Sequence, residues 1–231
     1  MPLALSHRPR TNGPAQAVCN CVKLGAAKIL VQSVQNFTGA VMGRQLAFDR
    51  TQALALAVDA FWRNGYAAQP ALELSESMGL AKSSLYNTFG SKKSLFLEAL
   101  DHYSQEQRAH VLALSQSGDL LRQLRKLLIE IASDNSAGRG CFLVNSAAEL
   151  GLRDEAVRQR VKAGMDGMVD AFATLIRAGQ ASGTIRPGIN SAEHAVAFLA
   201  GIAGLRVLAK SGFSMDQLLP VIDTHLAGLS N

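Results

Sequence analysis

A chain of 231 residues with 48% hydrophobic and 18% charged side chains is long enough to bury a core of its own, as one large or two small domains. Its formal net charge is +5, but residues 1–41 carry Arg8, Arg10, Lys23 and Lys28 and no acidic residue, so only 5 − 4 = +1 belongs to the rest. Residues 43–110 hold seven basic and seven acidic side chains, which excludes binding of an anionic partner by bulk charge and leaves that task to local placement.

Three cysteines, with Cys19 and Cys21 close together and Cys141 far away, do not form a disulfide framework and suit a reducing, cytoplasmic setting. No apolar run approaches the roughly 18 residues of a membrane span, so no membrane partner is expected. Residues 1–42 lack a sustained period and contain Pro2, Pro9 and Pro14. They read as a disordered extension, as translated sequence ahead of a natural start at Met42, or as a basic arm that holds DNA nonspecifically. Arg8 and Arg10 interrupt any apolar core of a signal peptide.

A first helix ends near Phe61, Gly65 and Tyr66. Ala71, Leu74 and Met78 then fall on one helical face, and Gly79 is placed to end that helix in a left-handed turn. Between Lys82 and Thr88, Leu85 and Phe89 are spaced i, i+4 to anchor one face, while Lys82, Ser83, Ser84, Tyr86, Asn87 and Thr88 offer hydrogen-bonding groups on the other. Gly90 and Ser91 give a stop and an N-cap before Leu95, Phe96, Ala99, Leu100 and Tyr103 repeat with helical spacing. A turn, a short polar helix and a new helix start in succession form a helix-turn-helix.

The remainder reads as helices. Asp119 caps Leu120 to about Ile131, a polar loop runs over 133–140, and Cys141 to Leu150 forms a short apolar helix. Asp154 opens a long helix through Val157, Val161, Met165, Met168, Phe172 and Ile176 toward Gly183. Ser191 caps a helix to about Lys210, and Ser214 caps a last one through Leu229. No run alternates with strand period, so the fold class is all-α.

From Gly43 to about Tyr103 the chain resembles the DNA-binding domain of the TetR family of bacterial transcriptional repressors, on Phe61, Gly65, Tyr66, Leu74, Met78, Gly79, Leu85, Tyr86, Phe89, Lys92, Leu95 and Phe96. Gln69 and Pro70 stand where that family usually opens its second helix with a Thr or Ser pair, so the hydroxyl cap is missing. The resemblance implies a three-helix DNA-binding domain over 43–92 and a helical ligand-binding and dimerisation domain over 93–231. It implies a homodimer that binds a palindromic operator in double-stranded DNA. Lys82 and Lys92 suit phosphate oxygens, Tyr86 reaches phosphate while its ring packs, and Ser83, Ser84, Asn87 and Thr88 suit phosphate or base edges. Asn87 and Lys82 are the best base-reading candidates. Arg44 and Arg50 add phosphate or minor-groove contacts by analogy with other helix-turn-helix proteins.

The string GRGCFLVNSAAELG, 138–151, resembles a subset of TetR-like regulators in which a short helix borders the ligand cavity and a cysteine senses electrophiles or oxidants. At a helix N-terminus the Cys141 thiolate is favoured by the helix dipole and by Arg139; the competing reading is an inert buried thiol. Tyr103, Phe142, Asn145, Met165, Met168 and Phe172 join Cys141 as candidates to line a small-molecule site, although core packing explains each equally well. The run Ala195 to Leu208 is apolar on more than one face and has to be covered, either within one chain or by pairing of the helices at 191–210 and 214–229 with a second copy. No HExxH, GxSxG, GxGxxG or P-loop string occurs, and the five histidines lack metal-ligand spacing, so neither catalysis nor a cofactor or metal is expected. The alternatives from other classes are an adaptor that uses the apolar C-terminal helices and, with far less behind it, a Cys141-dependent enzyme.

Overall fold

Asp49 accepts hydrogen bonds from the Thr51 and Gln52 amides and so opens the first helix, α1 (Arg50–Asn64). The computed structural model describes residues 49–116, 118–133 and 139–230; the expected extension over 1–42 and Arg44 lie outside them. After α1 come α2 (Ala71–Ser77), α3 (Lys82–Phe89) and α4 (Lys92–Ala113), the last closing in a 3-10 turn over Leu114–Gln116. Then follow α5 (Leu120–Ser133), α6 (Phe142–Leu150), α7 (Glu155–Ser182), α8 (Ser191–Lys210) and α9 (Met215–Ala227). Among the described residues there is no strand.

Local chemistry sets most of these boundaries. Gly79 takes φ +65°, the left-handed turn that separates α2 from α3. The Ser91 hydroxyl accepts from the Ser94 amide and starts α4. Pro70 precedes α2 without any side-chain cap, as the missing hydroxyl pair implies, and the neighbouring Gln69 is buried and accepts from the Asn64 amide. Asp119 and Asp154 cap α5 and α7. One cap moves: Asn190, not Ser191, accepts from the Ala192 and Glu193 amides, and Ser191 is the first helical residue.

Two apolar cores result. One joins α1, α2, α3 and the first half of α4 to α6 and the start of α7, with Phe61, Phe96, Phe142, Leu74, Leu85 and Leu100 almost fully buried. The other joins the end of α4 to α5, α8, α9 and the later part of α7 through Leu124, Leu128, Phe172, Leu175, Ile185, Leu205 and Ile222. At roughly 1.5–3 kcal/mol for each large side chain fully buried, the first core is enough to fix α6 against the helix-turn-helix instead of leaving it with the rest of the C-terminal helices. In α8, Ala195, Phe198, Ile202 and Leu205 face the second core, while Val196, Ala197, Ala200, Gly204 and Val207 are exposed in a stripe along the opposite side. Among the described residues α8 is the one helix long and apolar enough by composition to cross a membrane, and its Ala195, Phe198, Ile202 and Leu205 are instead buried in the second core. It meets α9 closely at Gly201, where a Cβ would lie 1.3 Å from His225 Nε2.

The Lys93 ammonium lies 2.7 Å from Asp154 Oδ2, fastening the first turn of α4 to the start of α7. This hydrogen bond, with those from the Val157 and Ala156 amides, holds the Asp154 carboxyl below its ordinary pKa. Its contribution to stability is therefore complete above the usual carboxylate range and fades as pH falls through the lowered folded value. Asp154→Asn keeps a capping carbonyl and removes the titration, so melting temperature followed against pH should fall less steeply on the acid side than in the parent. Identical acid slopes would remove Asp154 from the pH response.

Candidate nucleic-acid interface and the joint behind it

α3 is sharply two-faced. Leu85 and Phe89 are buried, whereas Lys82, Ser83, Ser84, Tyr86, Asn87 and Thr88 are all exposed. None of those six side chains makes a hydrogen bond or ion pair among the described residues, so their donors and acceptors are unspent on the fold. A rigid helix with one face anchored by two apolar side chains and the other carrying a cation, a phenol, an amide and three hydroxyls can enter a groove of DNA and engage both phosphates and base edges.

The flanking cations are placed differently from one another. Lys92, at the first turn of α4, is half-buried with its ammonium 4.4 Å from the centre of the Tyr66 ring. Burial lowers its pKa, and the Glu149 charge works in the opposite direction. Arg50 pairs with Glu98 and lies over the Phe89 ring at 5.3 Å, so on this surface it braces α1 against α3 and α4.

Behind this face, the residues expected to line an effector site separate into two groups. Tyr103, Cys141, Phe142 and Met165 belong to the core shared with the helix-turn-helix. Met168 and Phe172 pack with the other core. The Tyr103 ring meets Trp62 and Phe142 edge-on at 5.2 and 5.6 Å, and its hydroxyl donates to Cys141 Sγ at 3.9 Å. Burial, followed by the nearby Cys141, pushes the Tyr103 phenol far above its ordinary pKa, so it remains a neutral donor. Cys141 is the N-cap residue of α6 and is partly buried.

Arg139, two residues before Cys141, engages α1. The Arg139 guanidinium lies 2.7 Å from Asp59 Oδ1 and 4.6 Å from the Trp62 ring centre, both on α1. Asn145 Nδ2 donates to the Arg139 carbonyl at 2.6 Å, and Arg206 on α8 donates to the Gly140 carbonyl at 2.9 Å. At the far end of α6, Glu149 accepts from the Tyr66 and Ala67 amides at 3.0 and 2.8 Å. Asp59, Trp62, Glu149 and Arg206 were not singled out in the sequence. Their partners are 66 to 83 positions away, and no periodicity reports such a pairing. Among the described residues no group of three or more His, Cys, Asp or Glu is placed to hold a metal ion.

Residues 53–99 match the family described as bacterial regulatory proteins, tetR family, and residues 119–212 match the tetracyclin repressor-like, C-terminal domain. The HTH-type transcriptional regulator YezE of Bacillus subtilis (strain 168) is 26% identical over 197 residues, covering 81% of this chain and 100% of that protein. The HTH-type transcriptional repressor ComR of Escherichia coli (strain K12) is 25% identical over 189 residues, covering 80% and 90%. Among solved structures, a cysteine mutant of the TetR family transcriptional regulator CifR bound to 26-base-pair operator DNA is 31% identical, with a TM-score of 0.67 over 80% of this chain and 98% of that one. The reduced form of E. coli NemR shares the fold with a TM-score of 0.68 at 19% identity, covering 78% and 96%. A two-faced α3 in a helix-turn-helix, the two family domains in order along the chain, and a 31% identical relative matched over nearly its whole length make this protein a member of the TetR family of DNA-binding transcriptional regulators.

Proposed function

We propose that the protein is a cytoplasmic repressor that binds a palindromic operator as a homodimer and is released when a small molecule or a thiol-reactive compound acts on its C-terminal helices. The observation that carries this reading is the exposed, unspent polar face of α3. Lys82 and Asn87 read base edges; Tyr86, Lys92 and the hydroxyls of Ser83, Ser84 and Thr88 hold phosphates. The functional division is a DNA-binding part at 43–92 and a sensing and pairing part at 93–231.

The homodimer is supported by the uncovered stripe Val196, Ala197, Ala200, Gly204 and Val207 on α8 and by the exposed Pro220, Thr224 and Ala227 on α9. Small residues at these positions let two helices from each copy approach in a twofold four-helix bundle. Such a dimer sets two reading heads roughly 34–36 Å apart, one turn of DNA. Sensing is assigned to Cys141, which opens α6 as its N-cap residue, is only partly buried and lies 3.9 Å from the Tyr103 hydroxyl. Phe142 and Met165 share its core, Asn145 donates to the Arg139 carbonyl just ahead of it, and Met168 and Phe172 pack with the other core. The reading requires no catalytic residue, cofactor or metal.

Selecting bound sequences from a random DNA pool, with and without a thiol oxidant, tests both halves. A palindromic consensus is the expected result, with enrichment lost on oxidation in the parent and retained in Cys141→Ser. No enrichment in either state would overturn the repressor reading, and a Cys141→Ser response equal to the parent would remove Cys141 from sensing.

A further inference from the structure

α6 is held to the reading head at both of its ends. Arg139, just before it, engages Asp59 and Trp62 on α1. Glu149, in its last turn, accepts two backbone amides from Tyr66 and Ala67, in the turn between α1 and α2. The same N-terminal junction is gripped from the other direction by Arg206 of α8 through the Gly140 carbonyl. The helix is therefore strung between the proposed pairing helix and the DNA-reading unit without passing through α4.

The Glu149 contact is built from strong components. A carboxylate that accepts two adjacent amide protons makes two charge-assisted hydrogen bonds, and these fix the turn in direction as well as distance. Lys92 lies over the Tyr66 ring, close enough for the Glu149 charge to act on it, so the carboxylate also biases where a phosphate-binding cation rests.

We propose that Glu149 is a positioning residue for operator recognition: by holding the Tyr66–Ala67 turn, it makes α6 a lever that transmits movement of α8 at Arg206 to the orientation of α3. The proposal rests on the reading of the protein as a dimer whose two heads must match one palindrome. Each head is then set by two connections, α4 behind it and α6 beside it, and the second can be cut without substituting any residue of α3.

The test uses the full-length protein with Glu149→Gln, which removes the charge and keeps the volume, alongside Glu149→Ala. Affinity is measured for the selected operator and for random-sequence duplex of equal length. Loss of positioning lowers operator affinity by about 3- to 30-fold and leaves random-duplex affinity unchanged or higher, because a negative charge near the DNA has gone. A fall in both affinities, a rise in both, or no change in either overturns the proposal; the first is what general damage to the fold produces.

A second measurement separates coupling from local structure. Arg206→Met alone is expected to change operator affinity, and the same substitution in the Glu149→Gln background is expected to change it by less than about twofold, because the lever is already cut in that background. Equal effects in both backgrounds overturn the lever. If the parent selects no palindrome, the repressor reading fails first, and hydrogen exchange then reads the contact directly. The Tyr66 and Ala67 amides should exchange faster in Glu149→Gln than in the parent, and unchanged exchange shows that the carboxylate does not hold the turn.

Discussion

Replacing Tyr86 by alanine is expected to weaken operator binding by roughly 30- to 20,000-fold while leaving the dimer and its melting temperature intact. The side chain is 37% exposed on the reading face of α3, between Leu85, which is fully buried, and Asn87, which is not. It makes no hydrogen bond within the described fold, so removing it takes little from stability. Loss of a well-made contact to DNA costs about 1–3 kcal/mol, and a homodimer loses it twice, which gives the stated range. Fluorescence anisotropy on the selected operator measures the affinity, and sedimentation with thermal unfolding measures the rest. Tyr86→Phe distinguishes the hydroxyl from the ring. Retained affinity in Tyr86→Ala, or loss of the dimer, would remove Tyr86 from the recognition surface.

The second large effect is on stability. Phe96 is 1% exposed at the first turns of α4, with ring centres 5.0 Å from Phe61, 4.8 Å from Tyr66 and 5.8 Å from Phe142. It thus joins α1, the turn after it, α4 and α6 in one aromatic cluster, and its neighbours are fixed by their own backbones and cannot collapse into the space left by truncation. Phe96→Ala should cost about 3–5 kcal/mol, a large share of the roughly 5–15 kcal/mol that stabilises an ordinary domain. Leu152→Ala is the comparison: Leu152 is fully exposed after α6, and its truncation should stay within about 0.5 kcal/mol. Urea unfolding of both variants measures the difference, and near-equal midpoints would mean that the aromatic cluster is not a core.

Local rules made the reading head legible in the sequence. Gly79, Ser91, Leu85 and Phe89 act over four residues or fewer, and each occupies the place its chemistry implied. The same reach explains the error at α8, where Asn190 and Ser191 are both able caps and the choice between them depends on how the chain enters the helix. What lay beyond local rules was the direction in which long charged side chains turn. Arg139 reaches Asp59, 80 positions away, for a carboxylate and Trp62 for a ring face. Arg50 likewise turns toward Glu98 and Phe89. The expected effector lining shows the limit for apolar residues: Met165 and Met168 are one helical step apart on α7, but the two cores meet between them and each methionine joins a different one.

The contact between Gly201 and His225 has a magnetic consequence. One α proton of Gly201 occupies the direction in which a side chain would run into the imidazole, so it sits within the ring current of His225. Its resonance is displaced from those of the chain's other glycines, and the displacement depends steeply on the separation of α8 and α9. Glycine labelling alone, with 20 such residues in the chain, therefore provides a spectroscopic gauge of whether this helix pair shifts when the protein meets DNA or a thiol reagent, with no probe attached.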